Sequence, residues 1–259
     1  MKIGFIGMGN MAKALARGFV ASGKVAPADM VAFAPNEEKL KRNAAEIGFL
    51  AAPTLAAVAD MAELIIIACK PAQVEGVLQK LAPRLPGKAL LSVALGWDYA
   101  RYEALLPADV RVQFVMPNTP AAVGEGVFLF EETNSLTAAE LAAVKDLFSS
   151  LGTVMTLPTA AMGIGGAIAG CGPAFVDMMI EAFADAGVRY GLTREAALTM
   201  TSQMILGSAK LQKVTGEHPG VLKDAVCSPG GSTIRGVAAL EQAGFRATCM
   251  GAIDAIMKK

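Results

Sequence analysis

Two glycine-rich segments contain the residue types that can grip charged ligands. The first is Gly7-Met8-Gly9-Asn10-Met11-Ala12, a G-x-G-x-x-A spacing. Gly7 permits a tight turn, Gly9 lets a pyrophosphate approach the backbone, and Ala12 lets a helix pack close to a strand. A helix starting there offers unpaired N–H groups and a partial positive charge to an anion. The spacing therefore predicts a dinucleotide site, with Gly7, Gly9, Asn10 and Met11 at its phosphates. The second segment is Ser228-Pro229-Gly230-Gly231-Ser232-Thr233. Hydroxyls of Ser228, Ser232 and Thr233 stand beside Gly230 and Gly231 at a helix start. That combination suits capture of a carboxylate. The same six residues also read as an ordinary helix-capping loop, and their types alone leave both readings open.

The kind of dinucleotide turns on the end of the second strand, where an NAD site wants an Asp or Glu for the ribose hydroxyls. The chain reads Ala32-Phe33-Ala34-Pro35-Asn36 there, with its first acid at Glu37. The missing carboxylate favours a 2′-phosphate, hence NADPH, with Asn36 as a donor and Lys39 or Arg42 nearby. NADH stays open as the alternative, because Glu37 and Glu38 oppose a phosphate. Lys39 and Arg42 also read as a solvated helix face.

Other reactive groups have plainer readings. His218, the lone histidine, precedes Pro219 and is expected to cap a helix or lie at the surface. Lys70 stands before Pro71 and reads as part of a cofactor-side turn rather than as a proton-transfer group. Cys69, Cys171, Cys227 and Cys249 have no metal-ligand spacing, so no metal site is expected. Scattered buried thiols fit a reducing cytoplasm.

The elements that must position these groups follow from periodicity. Apolar runs at Lys2–Gly7, Met30–Ala34, Leu64–Cys69, Ala89–Ala94, Arg111–Met116, Gly126–Phe130 and Thr153–Leu157 read as strands, alternating with helical patterns. Asn36 and Gly48 bracket a helix from Glu37 to Ile47, and Pro71 opens another. The alternation predicts an α/β fold with a Rossmann-type, doubly wound parallel sheet. Beyond Pro158 no strand runs remain, and long helices are expected at Phe175–Tyr190 and Thr193–Val214. The boundary is therefore placed between a dinucleotide-binding domain, 1–158, and an all-helical domain, 159–259.

Composition narrows the function classes. Of 259 residues, 54% are hydrophobic and 18% charged, enough apolar material for a large core. Lys plus Arg and Asp plus Glu both total 23, so no basic excess exists for nucleic acid. The glycines of the opening MKIGFIGMGN argue for a strand rather than a signal peptide. The uncharged stretch from Leu147 to Val176 is broken by glycines and prolines. It reads as a buried helix–turn–helix at a domain or subunit contact, not as a membrane span.

Longer matches then become specific. His218-Pro219-Gly220-Val221-Leu222-Lys223-Asp224, the Ser228–Ile234 segment and Ala239-Leu240-Glu241 resemble the signature of the pyrroline-5-carboxylate reductase family. Gly172-Pro173-Ala174-Phe175, Met116-Pro117-Asn118-Thr119-Pro120 and Cys69-Lys70-Pro71 agree in the same order. The resemblance spans essentially the whole chain. It implies NADPH-dependent reduction of 1-pyrroline-5-carboxylate to L-proline and a helical domain that forms a homodimer, with rings of dimers common in the family. It further implies a substrate carboxylate held by Ser228, Gly230, Gly231, Ser232 and Thr233, and a Thr233 hydroxyl at the ring nitrogen. The nicotinamide side would lie near Ala68, Cys69, Lys70, Pro71, Met116, Pro117 and Asn118.

Two positions depart from the family pattern. Most relatives carry serines where this chain has Ala169 and Cys171, and many carry an Asn-Arg-Ser-like turn where it has Ala34-Pro35-Asn36. A related imine or hydroxy-acid dehydrogenase, or a non-catalytic dinucleotide-binding paralogue, are the rival readings.

Overall fold

The computed structural model describes residues 1–258. Eight strands form one sheet: β1 (Ile3–Ile6), β2 (Met30–Phe33), β3 (Leu50–Ala51), β4 (Leu64–Ile67), β5 (Ala89–Ser92), β6 (Arg111–Met116), β7 (Gly126–Glu131) and β8 (Gly152–Leu157). Their order is β3-β2-β1-β4-β5-β6-β7-β8. Neighbours run parallel except for β6 against β7, which are antiparallel. The helices between them are α1 (Asn10–Ala21), α2 (Glu37–Ile47), α3 (Leu55–Met61), α4 (Val74–Leu81), α5 (Tyr99–Glu103) and α6 (Ala138–Ser149).

The continuous apolar runs are explained by burial on both faces. Along β4, Leu64 and Ile66 join one core with α1, α2 and α6, while Ile65 and Ile67 join another with α3 and α4. Successive strand side chains point to opposite faces, so one strand feeds both layers. In the first core Phe148 of α6 meets Phe19, Phe128 and Phe130 edge-on at centroid distances of 5.5, 5.0 and 5.7 Å. This is the doubly wound, Rossmann-type arrangement, and its helix starts gather at the carboxyl ends of the strands.

Several local expectations hold to the residue. Asn36 caps α2 by accepting from the Lys39 N–H at 2.8 Å, and Gly48 ends it at φ +94°. Others differ. The two-residue β3 and the short helices α3 and α5 lie below the length at which periodicity is visible. After Pro71 the chain makes a 3-10 turn to Gln73, and α4 begins only at Val74.

The uncharged stretch also differs from expectation. It holds no helix–turn–helix. A helical run continues from α7 (Thr159–Gly166) through a π-helical segment, Ala167–Cys171, into α8 (Gly172–Arg189). Sequence patterning puts the domain boundary at Pro158, whereas the compact units divide between Cys171 and Gly172. Residues 159–171 stay with the sheet because Met162 packs with Met116 and Leu129. At Gly165 an added Cβ would lie only 2.7 Å from Leu129.

The second unit is helical: α8, α9 (Arg194–Thr215), α10 (Pro219–Ala225), α11 (Ser232–Gln242) and α12 (Phe245–Met257). Helices α8 and α9 meet at small residues, with Gly187 against Ala197. Ala184, Ala197 and Thr201 are its buried residues, whereas Met178, Phe183, Met200, Leu211 and Met250 are exposed on the single chain. Cys171 and Cys249 are exposed as well, and Cys69 and Cys227 half-buried, so the thiols are less hidden than expected.

Candidate functional site

The cradle is built where β1 hands over to α1. Gly7 has φ +99° and donates its N–H to the Phe33 carbonyl at 2.8 Å. A Cβ there would sit 2.7 Å from the Ala68 carbonyl oxygen, so the ends of β1, β2 and β4 close around a position that only glycine fits. Gly9 differs, because its Cβ would meet nothing within 4 Å and would project into open space. Gly9 is also the N-cap of α1, with no side-chain cap and no acid in the first turn. The first intrahelical bond is Lys13 N–H to Gly9 carbonyl at 3.0 Å, so the N–H groups of Asn10, Met11 and Ala12 have no partner within the helix.

A cleft of about 790 Å³ opens beside this turn. Of the expected cofactor residues, Gly7, Gly9, Asn36, Ala68, Cys69 and Lys70 line it. Asn10 and Met11 start α1 at its edge, and Pro71 follows Lys70 in the 3-10 turn. Lys39 also lines the cleft, whereas Arg42 does not. Leu55, Gln73, Gly76, Val77 and Lys80 complete the wall. Periodicity alone does not single these out, because they join the cleft only through the placement of α3 and α4. The lining suits a dinucleotide: a side-chain-free approach at Gly9, apolar walls from Phe33, Leu55 and Val77, lysines, and no carboxylate.

Groups near the cleft are held rather than poised for proton transfer. The Tyr102 hydroxyl and Ser92 Oγ share a hydrogen bond of 2.6 Å, and Ser92 Oγ accepts from the Ala94 N–H at 3.2 Å. Burial pushes the Tyr102 phenol far up, against the partial relief of the Ser92 bond. Burial also pushes the Cys69 thiol up, which leaves it a poor nucleophile. Trp97 Nε1 donates to the Pro71 carbonyl at 3.0 Å and pins the turn after Lys70.

Met116 ends β6, Pro117 and Asn118 follow it, and none of the three lines the cleft. The Met116 side chain packs against Leu129, Met162 and the face of Gly166. Both polar atoms of Asn118 are engaged: Oδ1 accepts from the Val127 N–H at 2.8 Å, and Nδ2 donates to the Ala169 carbonyl at 3.0 Å. Backbone is what this segment can offer a ligand.

The second unit contains the glycine turn. The Gly231 N–H donates to the Ser228 carbonyl at 3.0 Å, with Pro229 and Gly230 between them and Gly230 at φ +69°. That is a Pro-Gly turn whose third position requires positive φ. A Cβ on Gly231 would lie 2.4 Å from Ser228 Oγ, so the hydroxyl folds over the space that glycine leaves. Gly231 is the N-cap of α11, again without a side-chain cap or a first-turn acid. Ser232 and Thr233 are the first two helical residues, so their N–H groups point out of the helix end beside three hydroxyls. Arg235 Nη1 donates to the Gly230 carbonyl at 3.2 Å and braces the turn, a role the sequence reading missed. His218 caps α10, its Nδ1 accepting from the Gly220 N–H at 3.1 Å.

Comparison with known proteins adds an independent line. Residues 159–259 match the family described as pyrroline-5-carboxylate reductase dimerisation, and residues 2–96 match that described as NADP oxidoreductase, coenzyme F420-dependent. The chain is 41% identical to the pyrroline-5-carboxylate reductase of Treponema pallidum, covering 99% of both chains. It is 38% identical to that of Escherichia coli, over 100% of this chain and 96% of the other. The Plasmodium falciparum pyrroline carboxylate reductase structure, with NADP bound, superposes with a TM-score of 0.89 at 32% identity, covering 99% of this chain and 95% of that one.

Proposed function

The chain belongs to the pyrroline-5-carboxylate reductase family, and on that premise we propose how its own residues carry the family's reaction. The chain is an NAD(P)H-dependent oxidoreductase that reduces the C=N bond of 1-pyrroline-5-carboxylate to give L-proline. When bound, NADPH supplies the hydride, and the protein's part is to position and polarise the acceptor.

The N–H groups of Ser232 and Thr233 and the Ser228 hydroxyl hold the substrate carboxylate over the bare backbone of Gly230 and Gly231. The observation that carries this assignment is the uncapped start of α11 behind the Gly230 turn, with Ser228 Oγ folded over Gly231. Such a helix end attracts an anion through its free N–H groups and its dipole. Anchoring the carboxylate brings the ring nitrogen to the Thr233 hydroxyl. A protonated nitrogen makes the ring carbon a far better hydride acceptor, and Thr233 holds that proton by hydrogen bonding. The Gly7–Ala12 turn, Asn36 and Ala68–Pro71 hold the dinucleotide, and backbone of Met116–Asn118 faces its nicotinamide side.

The helical half carries the family's dimerisation region. A groove of about 660 Å³ on it, lined by Phe175, Met179, Phe183, Leu240 and Phe245, is covered by a second copy of the chain. The run Thr159–Arg189 is long and apolar enough to cross a membrane by length and composition. We read its exposed face as the homodimer surface, extended to a ring of dimers, in a cytoplasmic enzyme. The test is the loss of NADPH absorbance with 1-pyrroline-5-carboxylate, with L-proline identified as product. Consumption without proline, or none at all, removes the assignment.

A further inference from the structure

The cofactor cleft concentrates positive charge in a chain that is balanced overall at 23 against 23. Lys39, Lys70 and Lys80 line it, and no Asp or Glu does. None of these three lysines forms an ion pair among the described residues, whereas Lys24, Lys41, Lys223 and Lys258 all do. Unpaired cations around a concave, partly apolar site focus an attractive field on an anion.

Lys70 lies in the turn after β4, beside the glycine cradle. Lys39 and Lys80 belong to other elements, the first turn of α2 and the last turn of α4. Lys80 reaches the cleft for a local reason. Helical side chains lean toward the N-terminus, so a residue at i+4 extends over the residue at i. The residue four before Lys80 is Gly76, which itself lines the cleft and whose added Cβ would meet nothing within 4 Å. An interior glycine weakens a helix. In α4 it leaves the cleft-facing side bare along the path of the Lys80 stem, while Val74, Leu78 and Leu81 bury the other side.

We infer that Lys80, together with Lys39, seats the adenosine 2′-phosphate and sets the preference for NADPH over NADH. The inference rests on the cleft being the dinucleotide site. Competing charges are out of the way. The β2 end offers no carboxylate for a ribose hydroxyl, Glu37 is paired with Lys41, and Glu38 does not line the cleft. Asn36 Oδ1 is committed to the Lys39 N–H, so that side chain has only its Nδ2 donors left for an anion. Two ammonium groups match the charge of about −1.5 to −2 on a phosphomonoester.

The experiment is equilibrium binding of NADPH and NADH, read by nucleotide fluorescence, to the unaltered chain, Lys80→Ala and Lys80→Arg. Lys80→Ala is expected to weaken NADPH by about tenfold or more and to leave NADH within about twofold. Lys80→Arg is expected to retain NADPH binding. Unchanged NADH binding doubles as the folding control. Equal loss of both nucleotides, or undiminished NADPH binding by Lys80→Ala, overturns the assignment. An unaltered chain that binds neither nucleotide overturns the cleft reading and this inference together.

Discussion

Asn118 donates from Nδ2 to the carbonyl of Ala169 at 3.0 Å, and Ala169 is the residue four before Pro173. A proline has no N–H to give that carbonyl, and its ring crowds it in a regular helix. The π-helical widening at Ala167–Cys171 relieves the crowding, and Asn118 supplies the missing donor. Asn118→Leu strands the Ala169 carbonyl and the Val127 N–H, so unfolding free energy should fall by about 1–3 kcal/mol per unpaired group. Pro173→Ala restores a backbone donor. In that background the Asn118→Leu loss should shrink in a double-mutant cycle of denaturant midpoints. Strict additivity would contradict the coupling.

The cradle glycines should separate by experiment. Gly7→Ala forces a Cβ to within 2.7 Å of Ala68 at φ +99°, and should cost about 1–3 kcal/mol of stability. Gly9→Ala meets no protein atom, so thermal stability should hold while NADPH affinity falls by about tenfold or more. Parallel melting and nucleotide titration check the pair. Equal effects on both properties in both variants would contradict the division of labour.

Acid stability should depend on one carboxylate. Glu140 receives Arg111 Nε at 2.8 and 3.0 Å and Nη2 at 2.7 Å, and closes a capping box with Thr137. Arg111's hydrogen bonds, aided by those of Thr137 against the cost of burial, hold its carboxyl down at about 2 rather than 4.5. A depressed folded value stabilises fully above the unfolded value. The stabilisation is therefore present above pH 4.5 and is lost as pH falls toward 2. Glu140→Gln should lower stability by about 1 kcal/mol at neutral pH, a gap that closes across this acid range. A gap independent of pH in denaturant titrations would contradict the linkage.

Thr233→Ala removes the hydroxyl assigned to the ring nitrogen and leaves the backbone N–H groups in place. Turnover should drop by about a hundredfold or more while NADPH affinity stays within about twofold. Thr233→Ser should recover much of the rate. Steady-state kinetics with nucleotide titration separates the two quantities, and an unchanged catalytic rate in Thr233→Ala removes that role.

What could be read before folding follows from what is local. The G-x-G-x-x-A spacing, the Asn36 cap with its Gly48 stop, and the limits of β6 are short-range features, and each stands where expected. The helical continuity through Pro173 was hidden because its rescue comes from Asn118, 51 residues from the Ala169 carbonyl it serves. The antiparallel β7 left no mark, since a buried run reads alike in either direction. Gly76 and Lys80 join the cleft only once α4 packs on the sheet through Val74, Leu78 and Leu81. Exposed Met178, Phe183 and Met250 fit the low charge that hinted at association, although no pattern in the chain says where a partner lies.

The grip of the Ser228–Thr233 turn on a carboxylate is tested most directly by a crystal structure of the protein soaked with NADP⁺ and L-proline. The expected result is a proline carboxylate within hydrogen-bonding distance of the N–H groups of Ser232 and Thr233, its ring nitrogen at the Thr233 hydroxyl and its ring against the nicotinamide. Proline bound away from that turn in every protomer would contradict the account.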